Sequence, residues 1–503
     1  MSEASQQPVI TWLADPRTHG GAVTAVEQIT THGARVFLAG DRVFKIKRAV
    51  RYPYMDFSTL DKRRAACERE LQINQPAAPM IYRAVTPITR EADGSFAFEG
   101  AGPVCEWALS MHRFDQACLL ENIAREGPLA PALVEALATA VAHYHRQAPV
   151  IADGRAGERL DQVVDGLHAF FSTDSALDAK RRKAFGVGLA QAAQQLRDLV
   201  IERGRQGLVR RGHGDLHLAN VAVIDTVPVL FDAIEFDERL ATVDVLHDLA
   251  FLLMDLAANG QPVAANRLLN GYLTAFDDPR NLPGLRALPL FLALRAAVRA
   301  MVACQQGGDG ADARAARYFE AACQALADRP ARLVAVGGLS GSGKSTVAAA
   351  LCPGIGRSPG ALLLRSDIER KALFGVRPTD RLPSQAYVAG VSAAVYARLR
   401  DKAAVALAAG HSVVLDAVFS DEHERANARA LAHKAGVPFT GLFLQAPAEA
   451  LIERVQARRG DASDADAQVV RLQLAQGIGP LDWLRVDAGG SPAQTLAAAR
   501  ALL

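Results

Sequence analysis

The 503-residue sequence has little of what marks specialised chains, beginning with charge of one sign: 56 Lys and Arg stand against 54 Asp and Glu, a net +2. Bulk charge therefore gives no footprint for nucleic acid or an anionic membrane, and anion binding has to come from local sites. The six cysteines (Cys67, Cys105, Cys118, Cys304, Cys323, Cys352) are scattered, with no C-x-x-C pair. That argues against a disulfide framework or a zinc site and for reduced thiols in the cytosol. Long apolar runs are missing too. Leu249–Ala258 is short and cut by Asp255, and Leu288–Cys304 carries Arg295 and Arg299, so no membrane span is expected. Residues 1–15 lack the basic start and apolar core of an export signal, so the expected location is cytoplasmic. The 40 glycines show no three-residue period, and no internal repeat is visible. Half of the residues are apolar, which excludes global disorder. At roughly 100–200 residues per domain, the length predicts about three folding units in two or more domains.

Two textures are present. Arg35–Ala39 and Val43–Lys47 flank a Gly40-Asp41 turn and predict a hairpin. A helix is expected over Leu60–Asn74, ended by Pro76 and Pro79, then strands over Ile81–Thr89 and Ser95–Leu109. Helices follow from Leu119 to Arg205, a second small hairpin forms around Asp225-Thr226, and helices return from Val243 to Asp328. Past residue 328 short apolar strands alternate with helices: strand 333–336, helix 344–351, strand 361–365, helix near 384–409, strand 412–416, helix 422–435, strand 438–444, helix 447–458. That alternation predicts a parallel, doubly wound α/β sheet. The expected domains are therefore 1–328, with a small lobe at about 20–115 and a helical lobe at about 116–328, and 329–503.

Gly338-Leu-Ser340-Gly341-Ser342-Gly343-Lys344-Ser345-Thr346 fits G-x-x-x-x-G-K-[ST] at each fixed position, after a buried strand and before a helix. Glycines let such a loop curl so that backbone N–H groups point at phosphate oxygens, and the helix adds its positive end. Lys344 is expected to reach the β- and γ-phosphates, and the Ser345 hydroxyl to coordinate Mg²⁺. Asp416 ends the apolar strand His411-Ser-Val-Val-Leu-Asp416 and is the Walker-B-type candidate for the same ion. Asp367, after another strand, either orients or deprotonates a substrate hydroxyl or caps the helix it opens; Arg370 and Lys371 are candidates to hold an anion nearby. Arg454 and Arg458 share a helix face, with Arg459 beside them, before the polar loop Gly460–Asp464, as a lid carrying arginines to transferring phosphates would. These stretches resemble the small P-loop kinases of the gluconate kinase, chloramphenicol phosphotransferase and zeta-toxin type, over about 170 residues. The resemblance implies ATP and Mg²⁺ as cofactors and leaves the acceptor unnamed.

In the first half, His213-Gly214-Asp215-Leu216-His217-Leu218-Ala219-Asn220 matches the spacing of a kinase catalytic loop, H-x-D-x-x-x-x-N. There Asp215 would take the acceptor hydroxyl's proton and Asn220 would bind Mg²⁺. The hairpin after Asn220 returns to Phe231-Asp232, which makes Asp232 the favoured metal partner and Glu235 its rival. A strand lysine and a helix glutamate are also needed. Lys45 and Lys47 share a strand face, and Glu68 and Glu70 lie on the next helix, with Lys45 and Glu70 favoured. Arg113, Arg295 and Arg299 are candidates for the acceptor side, or structural arginines. The H-G-D-L-H form resembles aminoglycoside phosphotransferases and choline-kinase-like enzymes, over roughly 20–325. Asp244 and Asp248 extend the resemblance, which implies that an acidic residue before Leu-Ala braces the catalytic loop. No G-x-G-x-x-G loop precedes the lysine strand, as in that family.

The expected fold is thus an α+β two-lobed, protein-kinase-like domain followed by an α/β P-loop domain. The expected activity is transfer of the ATP γ-phosphoryl group to a small-molecule hydroxyl of a sugar, amino sugar or aminoglycoside-like acceptor. Two alternatives stand beside it: a regulatory ATP-binding protein with one degenerate domain, and a zeta-toxin-like nucleotide-sugar kinase restrained by the first half. No sequence feature specifies an oligomer.

Overall fold

The computed structural model describes residues 3–52, 55–173, 177–308, 310–457 and 462–503. They form two compact units, Met1–Leu160 with Val200–Asp255 and Asp161–Leu199 with Leu256–Leu503.

The first unit opens with helix α1 (Glu3–Ala14), which the sequence reading passed over. A six-stranded antiparallel sheet follows, from β1 (Val26–Thr30), β2 (Ala34–Ala39) and β3 (Arg42–Lys47). Helix α2 (Leu60–Asn74) comes next, then β4 (Tyr82–Arg90), β5 (Phe96–Phe98) and β6 (Val104–His112). The strand order is β1-β2-β3-β6-β4-β5. The expected hairpin forms, with Ala39 opposite Arg42. The strand expected over Ser95–Leu109 is two strands, interrupted at 99–103, where Glu99 takes a positive φ and two glycines and a proline follow. Val9, Ile10 and Leu13 of α1 pack on Phe37, Phe44 and Ile46 and cover one face of the sheet.

Helix α2 is unusual in what it buries. Its inward stripe is Arg63, Ala66, Cys67, Glu70 and Asn74, at helical spacing, while Leu60, Leu71 and Ile73 stay half-exposed. A helix that buries charge must deliver it to partners. Arg63 reaches Glu106 at 2.8 Å, both fully enclosed, and Glu70 reaches the lysines of β3.

Helices α3 (Leu120–Glu126) and α4 (Pro131–Gln147) follow; α5 (Ala156–Ser172) and α6 (Ala179–Arg205) have most of their residues in the second unit, and the chain then returns with short β7 (Val209–Arg211). The second hairpin is β8 (Val221–Ile224) and β9 (Val227–Leu230), with Asp225 and Thr226 both at positive φ in the turn, as a two-residue hairpin requires. Strand β10 (Thr242–Asp244) pairs with β7 and leads into helix α7 (Val245–Ala258).

The second unit holds helices α8 (Pro262–Phe276), α9 (Leu288–Gln306) and α10 (Ala311–Leu326). Residues 281–306 are apolar and long enough to cross a membrane by length and composition, and two-thirds (67%) of their most apolar 18 residues is buried in the protein. The α/β part runs β11 (Leu333–Gly338), α11 (Lys344–Leu351), β12 (Leu362–Arg365), α12 (Ser366–Leu373), α13 (Ala389–Ala408) and β13 (Val413–Asp416). It continues with α14 (Glu422–Lys434), β14 (Phe439–Gln445), α15 (Ala448–Ala457), α16 (Ala467–Gln476), β15 (Leu484–Asp487) and α17 (Pro492–Arg500). All five strands are parallel, in the order β12-β13-β11-β14-β15. The expected doubly wound architecture is what forms. The two apolar clusters of this part, one around Leu333, Val413 and Phe443 and one around Val334, Val414 and Leu442, hold alternate residues of the same strands, so both faces of the sheet are covered.

The texture change near 328 falls inside this second unit. Strand β12 is a sheet edge, and α8 supplies what a sixth strand would. Asn270 Oδ1 accepts from Leu363 N–H at 2.7 Å, and Asn266 Nδ2 donates to the Ala361 carbonyl at 3.0 Å. Such capping removes an exposed edge. His411, buried behind this edge, has its pKa pushed down by burial to about 4. The ordinary value is 6.5, so the unfolded chain binds the extra proton first. Stability is full above about pH 6.5 and falls as pH drops towards 4, by about 3 kcal/mol for this group. Urea midpoints at pH 7.5 and 4.5 should differ more for wild type than for His411→Asn.

Candidate active sites

The first site is built on the loop between β7 and β8. Asp248, fully buried on α7, accepts from His213 N–H at 2.7 Å and Gly214 N–H at 3.0 Å, and its Oδ2 lies 3.2 Å from His145 Nε2. This is the brace that the family resemblance implied. It fixes the backbone on which Asp215 stands. Gly214, at φ +82°, passes so close to Leu240 and Ala241 that a side chain there would meet their backbone near 3.1 Å. Asp255 accepts from Leu218 N–H at 3.0 Å and secures the loop's middle. Breaking the brace should be costly, because Asp248→Ala leaves buried donors without an acceptor. The expected loss is about 3–5 kcal/mol, read as a lower urea midpoint, with a smaller loss for Asp248→Asn.

Asp215 itself is accessible, with 40% of its side chain exposed. Asn220 Nδ2 donates to its carbonyl at 2.9 Å and to Oδ2 at 3.2 Å. Ala219 N–H donates to His217 Nδ1 at 3.2 Å, so the ring proton sits on Nε2, 3.3 Å from Asp215 Oδ2. Asn220 and His217 thus hold the carboxylate, which stays partly exposed to solvent. His213, enclosed beneath it, has its pKa pushed down by burial, which favours the neutral ring.

Five charges alternate beside this loop. Lys45 Nζ bridges Asp232 Oδ1 at 2.7 Å and Glu70 Oε1 at 2.8 Å. Lys47 Nζ bridges Glu70 Oε2 at 2.5 Å and Glu235. Burial alone would lower the Lys45 ammonium, but Asp232 and Glu70 overcome it and hold its pKa well above the usual value. Burial raises Glu70, and the two lysines then pull it down to about 2. Glu68 points elsewhere, to Arg64 at 2.8 Å on the solvent side of α2. Asp232 sits at φ +61°, its N–H held by Tyr82 Oη at 3.1 Å, so the end of the hairpin is pinned in a left-handed turn.

The second site lies at the C-terminal ends of β11, β13 and β12. Register places Val336, Asp416 and Arg365 side by side across these strands. The phosphate loop follows β11. Gly341, at φ +84°, leaves no room for a side chain: a Cβ would come within 2.3 Å of the Leu451 carbonyl. Lys344 opens α11 and is buried, and the first-turn N–H groups of that helix have no intrahelical acceptor. Ser340 N–H is already taken by Gln473 Oε1 of α16 at 2.9 Å, so this one amide of the loop serves its shape. Asp416 is buried, and burial raises its pKa against the pull of Lys344 and Arg365, the latter 3.3 Å away. Its Oδ1 is enclosed without a hydrogen-bond partner. A buried acceptor left open beside a serine hydroxyl suits a hard cation that takes few protein oxygens.

Several expectations change. Asp367 is not a helix cap: α12 begins at Ser366 with Arg365 in the cap position and no side-chain cap bond. Arg370 and Lys371 are not free anion holders. Lys371 pairs with Asp464 at 2.6 Å, and Arg370 donates to the Ala386 carbonyl at 2.6 Å and lies over the Tyr387 ring. Arg454 is not presented as a lid residue either. It donates to the carbonyls of Ala488 at 2.8 Å and Gly490 at 3.1 Å and fastens the loop after β15. Arg458 and Arg459 lie outside the described residues. Arg113 pairs with Glu27 at 3.3 Å, Arg299 lies over the Tyr318 ring, and Arg295 is buried on α9. Sequence reasoning missed Asp255, Tyr82, Asn74 and Gln473. Only Asp255 left a signal, a carboxylate inside an apolar helix.

The chain is 31% identical over 482 residues to the uncharacterized protein Rv2004c of Mycobacterium tuberculosis, which covers 92% of each chain, and equally to Mb2027c of Mycobacterium bovis. The chain belongs to the family of these mycobacterial proteins. Within this family member, residues 333–478 match the model described as AAA domain, which spans the phosphate loop, Asp367, Asp416 and Arg454. Among solved structures, a gluconokinase from Sinorhizobium meliloti 1021 is 24% identical, covers 34% of this chain and 94% of that one, and has a TM-score of 0.24. A choline/ethanolamine kinase family protein from Mesorhizobium loti is 14% identical, covers 65% and 96%, and has a TM-score of 0.41.

Proposed function

We propose that the protein is a cytoplasmic, Mg-ATP-dependent phosphotransferase with two nucleotide-binding modules, 1–328 and 329–503, acting on small-molecule hydroxyls. The observation that carries this reading is the convergence, in one unit, of an accessible carboxylate, a lysine–glutamate pair and a second carboxylate at a hairpin end. Bound Mg-ATP supplies the γ-phosphoryl group. Asp215 orients the acceptor hydroxyl and takes its proton at Oδ1 or Oδ2. Asn220 and Asp232 are the residues that would hold Mg²⁺, and Lys45, kept in place by Glu70, would meet the phosphates. In the second module Lys344 and the loop amides neutralise phosphate charge, Ser345 and Asp416 would hold the ion, and Asp367 is the candidate base. Both modules act mainly by positioning and charge neutralisation.

The test is transfer of label from [γ-³²P]ATP to a panel of sugars, amino sugars, amino alcohols and aminoglycosides. Wild type, Asp215→Ala and Lys344→Ala run in parallel. A product lost in one variant only assigns the reaction to that module. A product lost in both makes the modules interdependent. Tight ATP binding with no labelled acceptor across the panel would overturn the phosphotransferase reading in favour of a regulatory nucleotide-binding protein.

A further inference from the structure

A kinase-like small lobe needs one strand lysine, and this one buries two. We propose that Lys47 and Glu235 form an inner ion pair that positions Glu70, so that Lys45 can pass from Asp232 to the nucleotide phosphates. The proposal rests on the phosphotransfer reading of the first site.

Exposure grades along the five charges. The Asp232 side chain is 41% exposed and Lys45 13%, while Glu70, Lys47 and Glu235 are at 0%, 3% and 7%. Solvent, and so an incoming ligand, reaches only the outer end. The inner end is held from several sides. The Lys47 ammonium lies 5.4 Å from the Phe57 ring centre, so an aromatic face takes the side its two carboxylates leave. The Lys47 carbonyl accepts from Gln6 Nε2 at 2.8 Å, which fixes the end of β3. Ala233 N–H donates to Asn74 Oδ1 at 2.7 Å, one helical turn beyond Glu70, and Ile234 N–H donates to the His213 carbonyl at 3.0 Å. Those bonds tie Glu235 to α2 and to the catalytic loop through the backbone.

Each Glu70 oxygen holds one lysine. When phosphates draw Lys45 outward, Glu70 would follow it if nothing held its other oxygen. Lys47, clamped by Glu235, is that hold. The set carries three carboxylates and two ammonium groups, a net −1. Releasing Asp232 from Lys45 leaves its carboxylate for a cation while the inner pair stays balanced. A buried pair kept only for stability could be exchanged for neutral groups of similar size at little cost. That difference makes the role testable.

The experiment uses full-length protein with Lys344→Ala, which silences the phosphate loop, and Mg-AMPPNP as the probe, titrated by calorimetry. Into this parent go Lys47→Met with Glu235→Gln together, Glu235→Gln alone, and Lys47→Arg. The double variant is expected to keep the parent's urea midpoint and bind Mg-AMPPNP at least tenfold more weakly. Glu235→Gln alone should weaken binding by a similar factor, because Lys47 then draws Glu70 inward. Lys47→Arg, which can still bridge two carboxylates, should bind within about threefold of the parent. Parent-like affinity in the double variant would make the pair a structural one and overturn the proposal. If the double variant does not fold, parent-like affinity in Glu235→Gln has the same meaning. A parent that binds no Mg-AMPPNP sinks the phosphotransfer reading of the first site, and this proposal with it.

Discussion

Asp215→Asn should lower phosphoryl transfer by the first module about 10²–10⁴-fold and leave the fold intact. The range is what a positioned general base contributes. The substitution keeps the shape of the side chain and removes its ability to take a proton. The side chain is 40% exposed, and the bond from Asn220 Nδ2 to the Asp215 carbonyl, at 2.9 Å, runs to the backbone and survives. His217 Nε2–H can donate to an amide oxygen as it does to a carboxylate. The loop is held by Asp248 and Asp255, which the variant does not touch. The measurement is initial-rate transfer to whichever acceptor the panel identifies, with the urea midpoint measured on the same sample. A rate loss with an unchanged midpoint is the expected pair of results. An unchanged rate would remove Asp215 from the chemistry.

Much of this site was legible because its spacing is rigid. A loop with Asp and Asn five apart, followed by a hairpin with a two-residue turn, returns its far end beside its start whatever surrounds it. The choice between Lys45 and Lys47, and between Glu68 and Glu70, was not legible. Residues two apart on a strand share a face, so periodicity admits both lysines, and both are used. On α2 the apolar residues Leu60, Leu71 and Ile73 are not the buried stripe. The buried face is the one bearing Arg63, Glu70 and Asn74, and its partners come from β3, β6 and the 231–235 segment. No local pattern encodes such long-range pairing.

The same contrast runs through the second module. The phosphate loop is a local device, so its glycines, lysine and serine could be read off directly. Arg454 was misjudged because helix spacing tells which residues share a face and not what that face meets. Its carbonyl partners lie 34 and 36 residues further on. They follow β15, a strand that buries only Val486 and so shows little hydrophobic pattern. Helix α1 escaped notice for a related reason. Pro8 stands in its middle, and its apolar stripe is short, yet Val9, Ile10 and Leu13 are buried against the sheet.

Lys344→Ala should lower turnover by the P-loop module about 10²–10³-fold, the range for losing one preorganised donor at a site of developing charge. The structure adds a second consequence. Asp416 is buried, with Lys344 and Arg365 as the cations that offset its desolvation. Without Lys344 the carboxyl's pKa is pushed further up, which favours its protonated form, a poorer ligand for a hard cation. Nucleotide binding should therefore lose Mg²⁺ dependence along with affinity. Keeping that carboxyl buried without its lysine partner should also cost stability, on the order of 1–3 kcal/mol. A double variant, Lys344→Ala with Asp416→Asn, separates the two effects. Removing both charges should restore the urea midpoint and leave turnover as low as in the single variant. If the double variant instead regains turnover, the lysine serves mainly to balance Asp416. If the single variant keeps its midpoint, Arg365 alone is enough to hold that carboxylate.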